Sequence, residues 1–274
     1  MKKLVIILVM VLACNIIFAE DWKIEADANL TLNQSSYSEN WQGSEVGNIT
    51  WAFNTNLFAE KQFSPVFLNK NTLKLAYGQT HSQDQTTKDW QKPLKSTDLI
   101  DFETIGLFTL GLFADPFVSG RLETQFEDGE KNFNPINLTE SFGAAKILYK
   151  KDKTELSTRI GAAFKQHLNS YSGIDNTQDG GIELVTNFKS PFASDMISLD
   201  TRLSVFKALY YSEEDDAPND YWKQADVDWE ATFTANVTKY IMVNLYTQLL
   251  YDKQIDLAGR FKETLSLGLT YKFL

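Results

Sequence analysis

The chain has 274 residues, a formal net charge of −10, 43% hydrophobic and 13% aromatic residues, and a mean hydropathy of −0.28. These values exclude a bundle of membrane helices, which needs several runs of about 20 apolar residues, and the acidic balance argues against nucleic acid or another polyanion as partner. Cys14 is the single cysteine, so no intrachain disulfide holds the fold.

In chain order, Lys2 and Lys3 precede an apolar run over 4–12, and small or apolar residues continue to Ala19. This predicts a secretory signal peptide over 1–19 and one domain over 20–274. The alternative is acylation of Cys14 within Val-Leu-Ala-Cys. That would leave Ile16-Ile17-Phe18 at the start of the mature chain, where a polar tether is expected.

Beyond Glu20, apolar residues recur at every second position, as in strands with one greasy and one polar face. Residues 22–33 set Trp22, Ile24, Ala26, Ala28, Leu30 and Leu32 on one side, and residues 48–60 do the same with Ile49, Trp51, Phe53, Leu57 and Ala59. Leu73, Leu75 and Tyr77 mark a third strand; Ile100, Phe102, Phe108, Leu110 and Leu112 a fourth; Val118, Leu122 and Phe126 a fifth. A sixth, near 138–149, alternates poorly. Leu156, Ile160, Ala162 and Phe164 define a seventh, Ile182 and Leu184 an eighth, and Ile197, Leu199, Leu203 and Val205 a ninth. Val227, Trp229, Ala231, Phe233, Ala235 and Val237 form the tenth, and 240–251 and 261–273 the last two.

The final runs are about twice the usual length of a soluble strand, about five or six residues. The connections fall into two classes. Short ones are predicted at 61–66, 115–116, 150–153, 189–195 and 238–239, and long polar ones at 35–47, 80–97, 128–135, 169–180, 211–220 and 252–258. Short turns at one end and long loops at the other predict an all-β fold, a single up-and-down antiparallel transmembrane β-barrel of about twelve strands. Its termini would be periplasmic, in a bacterial outer membrane. A soluble sandwich or lipocalin-like barrel would explain neither the strand lengths nor the two classes of connection.

Residues 33–45, Asn-Gln-Ser-Ser-Tyr-Ser-Glu-Asn-Trp-Gln-Gly-Ser-Glu, resemble the N-terminal signature of an uncharacterised family of Gram-negative outer-membrane β-barrels, a domain of unknown function. That signature reads Ser-x-Asn-Trp, then Gly-Gly-Glu. Residues 226–230, 248–252 and 262–273 are similar to its later strands. Ser44 stands where a second glycine is usual, and Leu274 follows the terminal aromatic Phe273. The resemblance implies location and fold, and carries no activity. Insertion machinery that reads a C-terminal aromatic is an implied partner, as are outer-membrane lipid and lipopolysaccharide. No cofactor, metal or nucleic acid is expected, and the barrel is expected to be a monomer.

Four sets of residues invite a functional reading. Asp226, Asp228 and Glu230 form an inward acidic ladder, able to set cation preference in a pore or to pair with inward Lys74, Arg121, Arg159, Lys165, Arg202 and Lys262. The ladder reads first as a salt-bridged wall. Hairpin register is expected to bring Glu183 beside Arg202 as a cross-strand pair. In the first long loop, Asn40, Trp41, Gly43 and Glu45 suggest a loop anchor in the barrel mouth or a stacking platform. His167, with a loop serine such as Ser170 or Ser172, is the candidate for a hydrolase, and His81 with Asp84 a weaker one; no catalytic assignment is made. Outward aromatics, including Trp51, Tyr77, Tyr149, Tyr240, Tyr251, Tyr271 and Phe273, read as an interfacial girdle, and Glu213-Glu214-Asp215-Asp216 as a solvated loop tip. The leading expectation is a narrow channel or a solute-binding and transport barrel. The alternatives are an outer-leaflet hydrolase and a structural or adhesive barrel with a plugged lumen.

Overall fold

The computed structural model describes residues 22–38, 45–192, 196–215, 219–238 and 241–272. The expected signal peptide, Cys14, the loop residues Asn40, Trp41 and Gly43, Tyr240, and the final Phe273 and Leu274 lie outside them. The strands are β1 (Lys23–Ser35), β2 (Asn48–Ser64), β3 (Phe67–Ser82), β4 (Leu94–Leu107), β5 (Asp115–Thr124), β6 (Glu127–Asp128), β7 (Lys131–Asn132), β8 (Ile136–Lys151), β9 (Thr154–Leu168), β10 (Thr177–Phe192), β11 (Ile197–Tyr211), β12 (Ala225–Asn236), β13 (Ile241–Tyr251) and β14 (Arg260–Lys272). All except the small β6–β7 hairpin belong to one closed 12-strand antiparallel barrel, in which β14 returns to β1. Closure through β1 and β14 pairs the two terminal strands over Asp27–Thr31 and Gly268–Lys272, so neither is a free edge along its whole length.

Period two places the side chains as the sequence suggests. On β12, Val227, Trp229, Ala231 and Phe233 face outward, and Asp226, Asp228, Glu230 and Thr232 face the lumen; on β11, Leu199, Leu203 and Val205 face out, and Asp200 and Arg202 in. The outside is an apolar surface with large exposed side chains on most of the strands. Only a hydrocarbon surround makes such a surface favourable.

Several boundaries differ from expectation. β2 runs on to Ser64, leaving Pro65 and Val66 as the turn. The expected turn at Asp115-Pro116 is the start of β5 instead, and Phe108, Leu110 and Leu112 leave the strand after Leu107. Asp115 explains this: its carboxylate accepts the Leu110 N–H at 2.9 Å, and Pro116 O accepts the Phe108 N–H at 2.9 Å, so residues 108–114 fold back as a link. The poor alternation near 138–149 also has a cause. A register shift between Ile147 and Tyr149 makes Ile147 face in, opposite Ser157, and Tyr149 face out, opposite Leu156. A bulge of this kind reverses the parity of the alternation.

Two glycines set how closely β8 and β9 approach. Gly143 and Gly161 are register partners, and a Cβ on Gly161 would sit 2.1 Å from Phe142 O. No other residue fits there.

Candidate functional site: ion pairs across the lumen

The inward charges meet in a network that joins opposite walls of the barrel. From β11, Arg202 donates through Nη1 and Nη2 to both carboxylate oxygens of Glu103 on β4, at 2.9 and 3.0 Å. Arg159 on β9 donates to the same carboxylate. From β3, Lys74 Nζ lies 3.0 Å from Glu230 on β12 and 3.9 Å from Asp101 on β4. Arg121 on β5 grips Asp101 through Nε and Nη2, at 2.9 and 3.1 Å, and stands 3.0 Å from Glu123 and 3.8 Å from Glu230. Glu103 and Arg159 are buried. Planar guanidinium forks on carboxylates fix both distance and orientation, so these contacts tie opposite walls together across the middle of the lumen.

A second tier lies toward the short links. Lys70 on β3 reaches Glu60 at 3.3 Å and Glu155 on β9 at 3.8 Å, and Lys189 on β10 reaches Glu25 on β1 at 3.5 Å. Toward the long loops an apolar cluster lines one wall. The loop between β11 and β12 carries a one-turn 3-10 helix, Asp220–Lys223, whose Trp222 is only 5% exposed. Trp222 packs with Phe206, Ala163 and Ala208, and its ring lies 6.0 Å from that of Tyr211. Lys165 stands over the Phe206 ring at 3.8 Å and 3.9 Å from Asp226. Beside the middle tier remains a polar cavity of about 90 Å³, lined in part by Glu103, Arg121, Arg159, Glu183, Arg202 and Asp228. That is room for several waters.

The acidic ladder is thus distributed among partners: Asp226 to Lys165, Asp228 to the Gln248 amide at 3.0 Å, and Glu230 to Lys74 and Arg121. The expected Glu183–Arg202 pair does not form. The β10–β11 register sets Glu183 opposite Phe206 and Arg202 opposite Asn187, because β10 runs on to Phe192 and pairs it with Ile197, so the turn falls later than the expected 189–195 link. Glu183 instead accepts from Ser204 Oγ at 3.5 Å. Of the first-loop motif only Glu45 is described, its backbone carbonyl accepting from Lys88 Nζ at 3.2 Å.

The hydrolase candidates are not assembled. His167 Nδ1 pairs with Asn137 Oδ1 at 2.6 Å, while Ser170 Oγ donates to Asn134 Oδ1 at 2.6 Å. The His81 ring lies tilted against that of Trp90, at 4.9 Å between ring centroids, and Asp84 accepts the backbone N–H groups of Thr86 and Thr87. Among the described residues no group of three His, Cys, Asp or Glu side chains could hold a metal ion.

Sequence reasoning missed three residues central to this arrangement, Asp101, Glu103 and Trp222. Asp101 and Glu103 had a signal, since they alternate with Ile100, Phe102 and Thr104 as the acidic ladder alternates on β12. Trp222 had none beyond being a tryptophan in a polar loop.

Residues 32–129 match a family model described as a protein of unknown function (DUF3078). No curated protein matches the chain. Among solved structures, the chain is similar to an outer membrane channel from Pseudomonas putida F1, at 13% identity and a TM-score of 0.41, covering 91% of this chain and 93% of that one. It is also similar to the translocator domain of the autotransporter NalP from Neisseria meningitidis, at 10% identity and a TM-score of 0.36, covering 92% and 88%. A third likeness is to the beta domain of the Bordetella autotransporter BrkA, at 10% identity and a TM-score of 0.33, covering 91% and 98%.

Proposed function

We propose that this protein is a monomeric channel of the bacterial outer membrane whose resting lumen is closed by ion pairs joining opposite walls. The observation that carries the reading is the chemistry of the closure. Twelve strands enclose more space than wall side chains alone need to fill. An inert plug would fill that space with apolar packing, since replacing a buried ion pair by well-packed apolar residues is often neutral or stabilising. Here the middle and the short-link end are instead spanned by charged groups that water and a polar solute can replace. The solute is therefore small and polar, and opening consists of exchanging these pairs for hydration. The short links and both termini face the periplasm, and the long loops face outward. The apolar belt meets lipid and lipopolysaccharide.

Solute release from proteoliposomes tests this. The native barrel is expected to retain a trapped small sugar, and the Glu103→Ala/Glu230→Ala variant to release it. A folded variant as tight as the native protein would contradict the reading and favour a structural barrel with a permanent plug.

A further inference from the structure

The barrel closes unevenly. Along β1 and β2 the ladder runs unbroken from Lys23↔Glu60 to Ser35↔Asn48. Between β1 and β14 it covers only Asp27↔Lys272 to Thr31↔Gly268. Beyond that last pair, toward the long loops, residues 32–35 of β1 and 260–267 of β14 have no strand partner across the seam among the described residues, although β14 stays paired to β13 from Leu269 to Arg260. The close approach at Gly268, where an added Cβ would sit 2.7 Å from both Asn29 Oδ1 and Leu30 O, marks the foot of the opening.

Leu32, Leu265 and Leu267, on the outward face of the two lips, are 68%, 70% and 64% exposed, and Leu269 in the paired part is 63%, so the apolar outer face runs the length of the seam. Unpaired backbone groups that face lipid tails are costly and do not persist without a hydrogen-bonding partner. The seam therefore has to be served by something that hydrogen-bonds.

The inner face of the same lip supplies the complementary chemistry. Arg260 and Lys262 stand at the outer end of β14 and face the lumen. Among the described residues neither makes an ion pair: Arg260 Nε is buried without a partner, and Lys262 lies 5.8 Å over the Tyr246 ring. At the foot, the Asn29 side chain is 3% exposed, and neither of its polar atoms has a partner. Two cations that make no ion pair among the described residues, in a chain of net charge −10, above outward leucines and beside an unsatisfied amide, form an amphiphilic port. A planar guanidinium with an adjacent ammonium suits phosphate.

We propose that the β1–β14 seam is a lateral port in which a phosphorylated, multiply acylated lipid of the outer leaflet lodges. Its phosphate reaches through the gap to Arg260 and Lys262, and its chains lie along Leu32, Leu265 and Leu267. The leaflet assignment rests on the orientation given under Proposed function; the opening itself does not.

Two measurements test the port. Disulfide trapping compares Leu30→Cys/Leu269→Cys, a register pair of the closed part, with Leu32→Cys/Leu267→Cys just above it, Cys14 being absent from the mature chain or replaced by serine. The lower pair is expected to cross-link and the upper pair to remain largely reduced; equal cross-linking of both would overturn the opening. Native mass spectrometry of the barrel with lipid A in detergent then reads the ligand. Retention by the native protein and about tenfold weaker retention by Arg260→Ala/Lys262→Ala are expected, a loss of the size that charged hydrogen bonds carry. Equal retention by both, or retention of laurate but not lipid A, would overturn the phosphate assignment. Neither measurement reads conductance, so failure of the port and failure of the channel are separable.

Discussion

Glu103 and Arg202 belong to strands almost diametrically placed in the ring, β4 and β11, yet the Arg202 guanidinium meets both Glu103 oxygens at 2.9 and 3.0 Å. The pair ties wall to wall, and Arg159 adds a third member to it. Truncating one side of such a buried pair strands the other charge, at a cost of roughly 3–5 kcal/mol, whereas removing both costs much less. Glu103→Ala and Arg202→Ala are therefore each expected to lower stability in urea unfolding from vesicles by about 3 kcal/mol, with the double variant well short of the sum. Additive losses would mean the two side chains do not interact.

Trp222 fixes the loop that carries it. The ring is buried on Phe206, Ala163 and Ala208, while the next residue, Lys223, is exposed and paired with Asp220 at 2.8 Å. Without the ring the loop loses its apolar anchor and opens locally. Trp222→Ala is expected to speed tryptic cleavage after Lys223 by about tenfold or more, leaving the barrel itself folded. An unchanged cleavage rate would place the loop's anchorage elsewhere.

The Gly143–Gly161 contact predicts a sharp size limit. A methyl group at Gly161 meets Phe142 O at 2.1 Å, which backbone on both strands must move to relieve. Gly161→Val is expected to abolish the compact, heat-modifiable form on cold gel electrophoresis, and Gly120→Ala, where the nearest atom is 3.9 Å away, to leave it intact.

Asp84 gives the long loop between β3 and β4 a pH dependence. The backbone N–H groups of Thr87 and Thr86 donate to its carboxylate, at 2.9 and 2.8 Å, and hold its pKa below the ordinary 3.8. A depressed carboxylate contributes order that is complete above the unfolded value and lost as pH falls through the folded one. Amide exchange at Thr86 and Thr87, corrected for its intrinsic pH dependence, is therefore expected to show protection constant above pH 3.8 and falling below it. Asp84→Asn should remove that dependence, and protection unchanged down to pH 2 would refute the assignment.

Much of this architecture is legible in the chain because alternation is a local property. Val227 to Ala235 declare their face within a few residues, and so do Leu156 to Phe164. What local pattern does not carry is which inward charges meet. Glu103 and Arg202 are 99 residues apart, and Lys74 and Glu230 are 156 apart, so their pairing follows only from closure and the offset of each hairpin. The Glu183–Arg202 expectation failed for that reason: β10 runs on to Phe192, so the hairpin turns later than expected and Arg202 meets Asn187. The short β1–β14 ladder is similarly silent in the sequence, because both strands alternate through the stretch where they part.

Single-channel recording in planar bilayers tests the central claim most directly. The native barrel is expected to be silent, or to open only in brief small steps, and Glu103→Ala/Glu230→Ala to conduct in long discrete steps. Steady, large conductance through the native protein would show that the ion pairs do not close the lumen, and would contradict the account.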